Sequence, residues 1–497
     1  MPGSGRACAR PIGVTSGTKL PILEIPGSVR TNQRHGDRKS MAKGTVEVLN
    51  TEREFRVEEL FFSTTDAKGI VCHGNGVFTR ISGYSEEELF GAPHSIIRHP
   101  DMPRAVFQLL WDTIQAGGTI AAYVKNLAKD GRYYWVLAVV MPCDGGYLSV
   151  RLKPTSPILG VVRTLYSELL QLERQIETEP KRRREAIEAT TAKLLEELLA
   201  RGFKDYNDFM QQALVAEITS RHDQLEPADD TETDHQDAVD GLPQLLNHCR
   251  QLDEDLQTLF HRLEEFRTMN EQLSEKSASV LETADDIRLL ALNASIASSG
   301  LGPRGASLQT VSKSLGASSM KVEDTIVGLS QQTGEIVSAL SQLIFDVAAT
   351  KLQSEIGRQF IGQMLSSSTT GDGTLLQESL QTLLQTMGLR TAAIFDSLSV
   401  TDAHFGGLEK QIQTLVRNNK LLRFVQFAGE KEAASWSDLE DFRAMFSQAH
   451  THIEGTYKDC LDLGKTIENV RGHIAAIRDV EPQISDHIQA FREYSLA

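Results

Sequence analysis

The residues best suited to chemistry lie in one short string, PHSIIRHPDMPRAVF (93–107). It holds His94, His99, Arg98, Arg104 and Asp101 among Pro93, Pro100 and Pro103, which is not core composition. Proline at 100 and 103 bars a continuous helix and holds Arg98, His99 and Asp101 on a fixed loop. A helix is predicted to begin just beyond, with Asp101 suited to cap it and Pro103 suited to its first turn. The same residues also suit a plain polar loop satisfied by its own caps, and both readings stand at this point. Nothing around the string looks catalytic. No nucleophile–base pair, metal-ligand spacing or glycine-rich phosphate loop is present, so an enzyme is not expected. The 13 histidines are dispersed. His94 and His99 have no second set of metal ligands in view, which leaves only a haem axial ligand as a metal role.

The elements that must position this loop lie around it. Residues 55–147 contain 13 of the 31 aromatic residues, so this region has the makings of a compact core. YYWVLAVVM (133–141) and GYLSVRL (146–152) read as strands, and KDG (129–131) is the turn from an earlier strand in AAYVKNL (121–127). Ser85 and Glu88 form a capping box at the start of a short helix. The sum is a small α+β domain with an antiparallel sheet, placed at residues 50–160.

The chain has 497 residues, 40% hydrophobic and 24% charged, which fits a soluble globular protein of two to four domains. A net charge of −16 argues against a nucleic-acid binder. Five scattered cysteines exclude a CxxC zinc site and suit a reducing cytoplasm. No run of about 18 apolar residues suggests a membrane span. Residues 1–43 are net +6, a disordered leader or a start annotated too early, with Met41 as the alternative start. A basic arm for membrane or nucleic acid is the sharper option there. Residues 161–223 read as a helical signalling segment and 224–243 as an acidic linker. From Leu245 to Ala294 apolar positions step by 4 and 3 without a slip, a heptad seam. Gly300, Gly302, Pro303 and Gly305 stop that helix, and a second periodic run from Leu308 to Val347 follows. Residues 244–365 are therefore an antiparallel hairpin, predicted to complete a four-helix bundle with a second copy of the chain as a homodimer. Residues 375–497 are again helical. There LLRFVQFAGEKEAA (421–434) loosely echoes LLALNASIASSG (289–300).

Three stretches, STTDAKGIVCHGNGVFTRISGYSEEELFGAPHSIIRHPDMPRAVF, then VKNLAKDGRYYWV, then LSVR, resemble the PAS sensory domain of the aerotaxis receptor family. The resemblance runs over roughly residues 56–165. It implies a noncovalently held FAD whose redox state is the signal. It also implies that Asn75, Arg98, His99, Asp101, Phe107 and Asn126 sit at the flavin pocket. Positive charge from Arg98 and His99 would favour a reduced flavin, and asparagine amides suit its pyrimidine edge. The family's tryptophan shortly before VKN is Ile120 here.

A second resemblance covers the hairpin. IRLLALNASI (287–296) followed by GPRG (302–305) is similar to the tip of methyl-accepting chemotaxis receptors, which binds the chemotaxis histidine kinase and its coupling protein. Leu290, Leu292, Asn293 and Ile296 keep that pattern, while Ala297 replaces a glutamate and the following stretch departs. The segment PILGVVRTLYSELLQLERQIE is amphipathic where aerotaxis receptors usually carry a membrane anchor. Together these features lead to an expectation of a cytoplasmic, PAS-based redox or oxygen transducer of the aerotaxis type. The alternative is a non-sensing dimeric scaffold with a cofactor-free PAS domain and a degenerate hairpin, able to dock into receptor arrays.

Overall fold

The computed structural model describes residues 46–177, 182–225, 241–366, 373–435 and 440–496. The basic segment 1–43 and residues 226–240 of the acidic linker lie outside the described residues. The N-terminal domain is a five-stranded antiparallel sheet in the order β2-β1-β5-β4-β3. Its strands are β1 (Phe61–Asp66), β2 (Val71–Gly74), β3 (Ile120–Leu127), β4 (Tyr133–Cys143) and β5 (Gly146–Leu152). Between β2 and β3 run three helices, α1 (Gly76–Ser82), α2 (Glu86–Leu89) and α3 (Arg104–Gln115). Ser85 and Glu88 form the reciprocal cap that starts α2.

Most strands alternate between two buried faces. On β5, Tyr147, Ser149 and Arg151 face the α1–α3 side, while Leu148, Val150 and Leu152 face the other. Both sides are covered, so β4 is buried along nearly its whole length instead of alternating with solvent. The second cover comes from α6 (Tyr206–Gln224), which follows α4 (Ile158–Ile176) and α5 (Arg183–Ala200). Tyr206 donates its hydroxyl to Ala121 O, and Tyr123 on β3 donates to Glu217 on α6 at 2.7 Å.

The rest of the chain is helical: α7 (Leu242–Gly300), α8 (Ala306–Ser366), α9 (Gly373–Ala434), α10 (Glu440–Arg478) and α11 (Glu481–Leu496). Helices α7 and α8 are joined by a tight 3₁₀ turn at Gly302–Gly305. With 59 residues, α7 is about 90 Å long. Among the described residues no helix is long and apolar enough to cross a membrane.

The structure corrects the expectation that a second copy completes the bundle. α8 packs on α9, α9 on α10, and α10 closes the ring on α7, so one chain supplies all four helices. The two hairpins bury the same heptad register. Leu245, Leu252, Leu263, Ile287 and Ala294 on α7 stand where Leu380, Met387, Leu398, Leu422 and Gly429 stand on α9. Leu308, Ser312, Leu315, Val322 and Ile336 on α8 correspond in the same way to Phe442, Phe446, Ala449, Thr456 and Val470 on α10. The C-terminal helices are thus a second hairpin of the same pattern, and a seam that needed a partner finds it within the chain. Large and small residues trade across this relation. Phe446 packs against Gly429, where a Cβ would meet the ring at 2.2 Å, while the other hairpin has Ser312 and Ala294 in those places.

Candidate functional site

A cavity of about 220 Å³ opens between the sheet and the 93–107 loop. Its floor is Val124, Asn126, Ala138, Val140, Ser149 and Arg151 from β3, β4 and β5. Its roof comes from Pro93, His94, Ile97 and Arg98 on the loop, with Phe107, Trp111 and Ile114 on α3. An apolar slot with a few aimed polar groups is what binds a flat organic ligand.

The loop is held to the floor by a backbone bridge between Arg98 and Asn126, and at its start by one between Pro93 and Ile70. Arg98 lies over the Phe107 ring at 3.9 Å, a cation–π contact. Burial, with help from Arg104, pulls the Arg98 guanidinium down to about 10, so it stays charged at neutral pH. On the floor, Arg151 is buried and meets Ser63 Oγ at 3.0 Å and His94 Nε2 at 2.6 Å. Burial and then the Arg151 charge push His94 down to about 3, so His94 is neutral and accepts from Arg151. Two buried side-chain groups of the lining have no hydrogen-bond partner, Asn126 Nδ2 and Ser149 Oγ.

Arg98, Phe107 and Asn126 line the cavity, whereas Asn75, His99 and Asp101 do not. Asn75 is the N-cap of α1, and its amide also ties β1, accepting from Phe62 N–H and donating to Leu60 O. His99 is buried, accepts the Asp101 N–H on Nδ1 at 3.0 Å, and packs edge-on to Tyr133. Burial and the nearby Lys125 push His99 down to about 4, and its Nε2 is unpartnered. Asp101 is on the surface, paired with Arg174 at 3.0 Å and Lys125 at 3.5 Å. Nor does Asp101 cap α3. That helix begins three residues later, and its first amides, Arg104 N–H at 2.7 Å and Ala105 N–H at 3.3 Å, donate to Glu173 of α4. Arg104 also pairs with Glu177, so α4 grips the cavity loop at Asp101 and at the start of α3.

Arg151, Ser149 and Trp111 are not singled out from sequence as site residues, and His94 stands out there only within the loop and as a haem ligand. The pattern Tyr147-x-Ser149-x-Arg151 does carry a signal, because a polar row alternates with Leu148, Val150 and Leu152 in a strand whose two faces are buried. Among the described residues no cluster of histidine, cysteine and carboxylate side chains could hold a metal ion.

The architecture of sheet, short helices and the cavity between them is that of a PAS domain, and residues 71–146 match the family described as PAS fold. Over 112 residues the sequence is 41% identical to the aerotaxis receptor of Escherichia coli (strain K12), covering 22% of this chain and 22% of the receptor. The chain therefore spans about a fifth of the length of that relative, and the likeness is that of one PAS-sized, aerotaxis-receptor-type sensory domain.

Proposed function

We propose that the chain is a redox or oxygen transducer of the aerotaxis type, with a flavin, FAD, in the PAS cavity and the helical bundle as its output. The observation that carries this reading is the pair of unpartnered buried groups, Asn126 Nδ2 and Ser149 Oγ, on two residues that line one apolar cavity together with Arg98 and Arg151. Buried polar groups are normally paired, so donors left open at a cavity call for an acceptor-rich guest. The carbonyl and nitrogen edge of a flavin is such a guest, and the apolar slot suits its ring. Bound there, a flavin supplies a two-electron couple whose charge changes with redox state.

The chain's own residues do the rest. Asn126 and Ser149 orient the guest, and the Phe107–Arg98 pair closes over it. A change of charge in the cavity pulls on Arg98 and so on the 93–107 loop. Helix α4 holds that loop through Glu173, Arg174 and Glu177. Helix α6 ties the opposite face of the sheet to α8 of the bundle, where Arg221 pairs with Glu355. The far end of the bundle, near Leu301 and Ser435, is where a chemotaxis-type kinase or coupling protein would be addressed.

The test is the visible spectrum of the purified chain before and after dithionite. Flavin bands that bleach support the reading. A Soret band replaces the flavin with haem. A chain that stays colourless after incubation with FAD overturns the cofactor and leaves a scaffold.

A further inference from the structure

We infer that Arg151 anchors the acceptor-rich edge of the cavity's ligand and carries the negative charge that develops on it, an assignment that rests on the flavin reading above. Arg151 is 2% exposed, yet among the described residues no carboxylate pairs with it. Its recorded hydrogen-bond partners are all neutral: Ser63 Oγ at 3.0 Å, Ser149 O at 3.4 Å and His94 Nε2 at 2.6 Å. The His94 contact needs a lone pair on Nε2, which makes that ring uncharged by geometry. Phe61 and Phe78 lie 5.8 and 5.4 Å from the guanidinium carbon, holding the head by cation–π contact without neutralising it.

The contrast with Arg221 is informative. That guanidinium is about as deeply buried, and Glu355 meets it with both carboxylate oxygens. A buried charge is normally paired, because leaving water without a counter-charge is costly. Arg151 breaks that rule in the lining of a cavity that also includes Ser149 and Asn126, each with a buried side-chain group that has no partner. The unmatched charge and the unmatched donors are explained together by one ligand whose edge accepts hydrogen bonds and can become anionic. With dithionite as reductant, a neutral flavin takes up two electrons and one proton from water and is left with one negative charge. Arg151 is the cavity group placed to stabilise it.

The experiment uses the full chain and its Arg151→Gln and Arg151→Lys variants, each checked for native far-UV circular dichroism. FAD affinity and the reduction midpoint are measured on all three. Arg151→Gln is expected to lose at least tenfold in FAD affinity. Its midpoint should drop by about 30 mV for each tenfold loss of preference for the reduced ring. Arg151→Lys keeps the charge but not the fork, so it is expected to hold the midpoint while losing part of the affinity. Unchanged affinity and midpoint in Arg151→Gln overturn the assignment and leave the flavin reading intact. A wild-type chain that takes up no FAD overturns both. If Arg151→Gln does not fold, the wild-type midpoint decides: above that of free FAD supports the assignment, and at or below it refutes it.

Discussion

Replacing Arg221 is expected to separate the sensory domain from the bundle. Its guanidinium reaches Glu355 Oε2 at 2.7 Å and Oε1 at 2.5 Å, and it donates to Val57 O at 2.9 Å and Glu58 O at 3.2 Å. The two side chains are 5% and 8% exposed. Arg221→Met strands a buried carboxylate, which costs about 3–5 kcal/mol. Glu355→Leu leaves the guanidinium with its two carbonyl acceptors and costs about 1.5–3 kcal/mol. The double variant removes both charges and loses mainly the carbonyl bonds, about 1–2 kcal/mol. The double-mutant cycle should therefore return a coupling of roughly 5 kcal/mol, well beyond the about 0.5 kcal/mol within which independent sites add. Urea unfolding measures it in a Trp436→Phe background, with Trp111 and Trp135 reporting on the sensory domain and far-UV circular dichroism on the helices. In the wild type the two signals are expected to fall together. In Arg221→Met the tryptophan signal should fall first. A coupling below about 0.5 kcal/mol, with the two transitions still coincident, refutes the view that this ion pair joins the domain to α8.

Gly429→Ala should destabilise the helical signal by about 1–3 kcal/mol, because the new Cβ meets the buried Phe446 ring; an unchanged urea midpoint would mean the ring can step aside. Acid should weaken the sensory domain before the bundle. His99 and His94 are held at about 4 and about 3, below the ordinary 6.5, so the unfolded chain takes up protons first as pH falls through 6.5. Their contribution is complete above that value and is lost on descent, by about 2 kcal/mol for each histidine between pH 7 and pH 5. His99→Gln should remove about half of that slope in the tryptophan signal, and an unaltered slope would place the acid sensitivity elsewhere.

The α+β sensory fold was legible because its signals are local. The capping box at Ser85, the Asp-Gly turn at 130–131 and the β-branched strands all act within a few residues. The heptad seam was legible for the same reason, since burial with a 4, 3 step depends on neighbours one turn away. The partner of that seam was not. The steps in 379–477 are as regular, but Asn419, Gln426 and Gly429 occupy seam positions and hide the repeat from any count of apolar residues. The site was legible in part. The proline-bound loop drew attention to Arg98, Phe107 and Asn126, which line the cavity, and equally to His99 and Asp101, which do not. Sequence places neighbours on one loop but does not say which way each side chain turns. Arg151 lies on a strand far along the chain, and it reaches the cavity only because β5 pairs with β1 in a register that sets it opposite Phe61.

Two carboxylates then decide how the cavity connects to the helices. Glu173 caps α3 from α4, and Thr190 of α5 also donates to it. Glu217 of α6 is fully buried against the sheet and accepts from Tyr123 Oη, Thr155 N–H, Ser156 N–H and Ser156 Oγ, all within 2.8 Å. One turn further along α6, Arg221 leaves the sheet and engages α8. The two carboxylates thus tie two helices to the domain: α4 to the cavity loop, and α6 to the sheet and, through Arg221, to α8. Both are buried and accept from three or four donors, so neither can shift without breaking several bonds at once. Under the proposed function, a disturbance in the cavity would be passed on as movement of whole helices instead of being absorbed by local rearrangement.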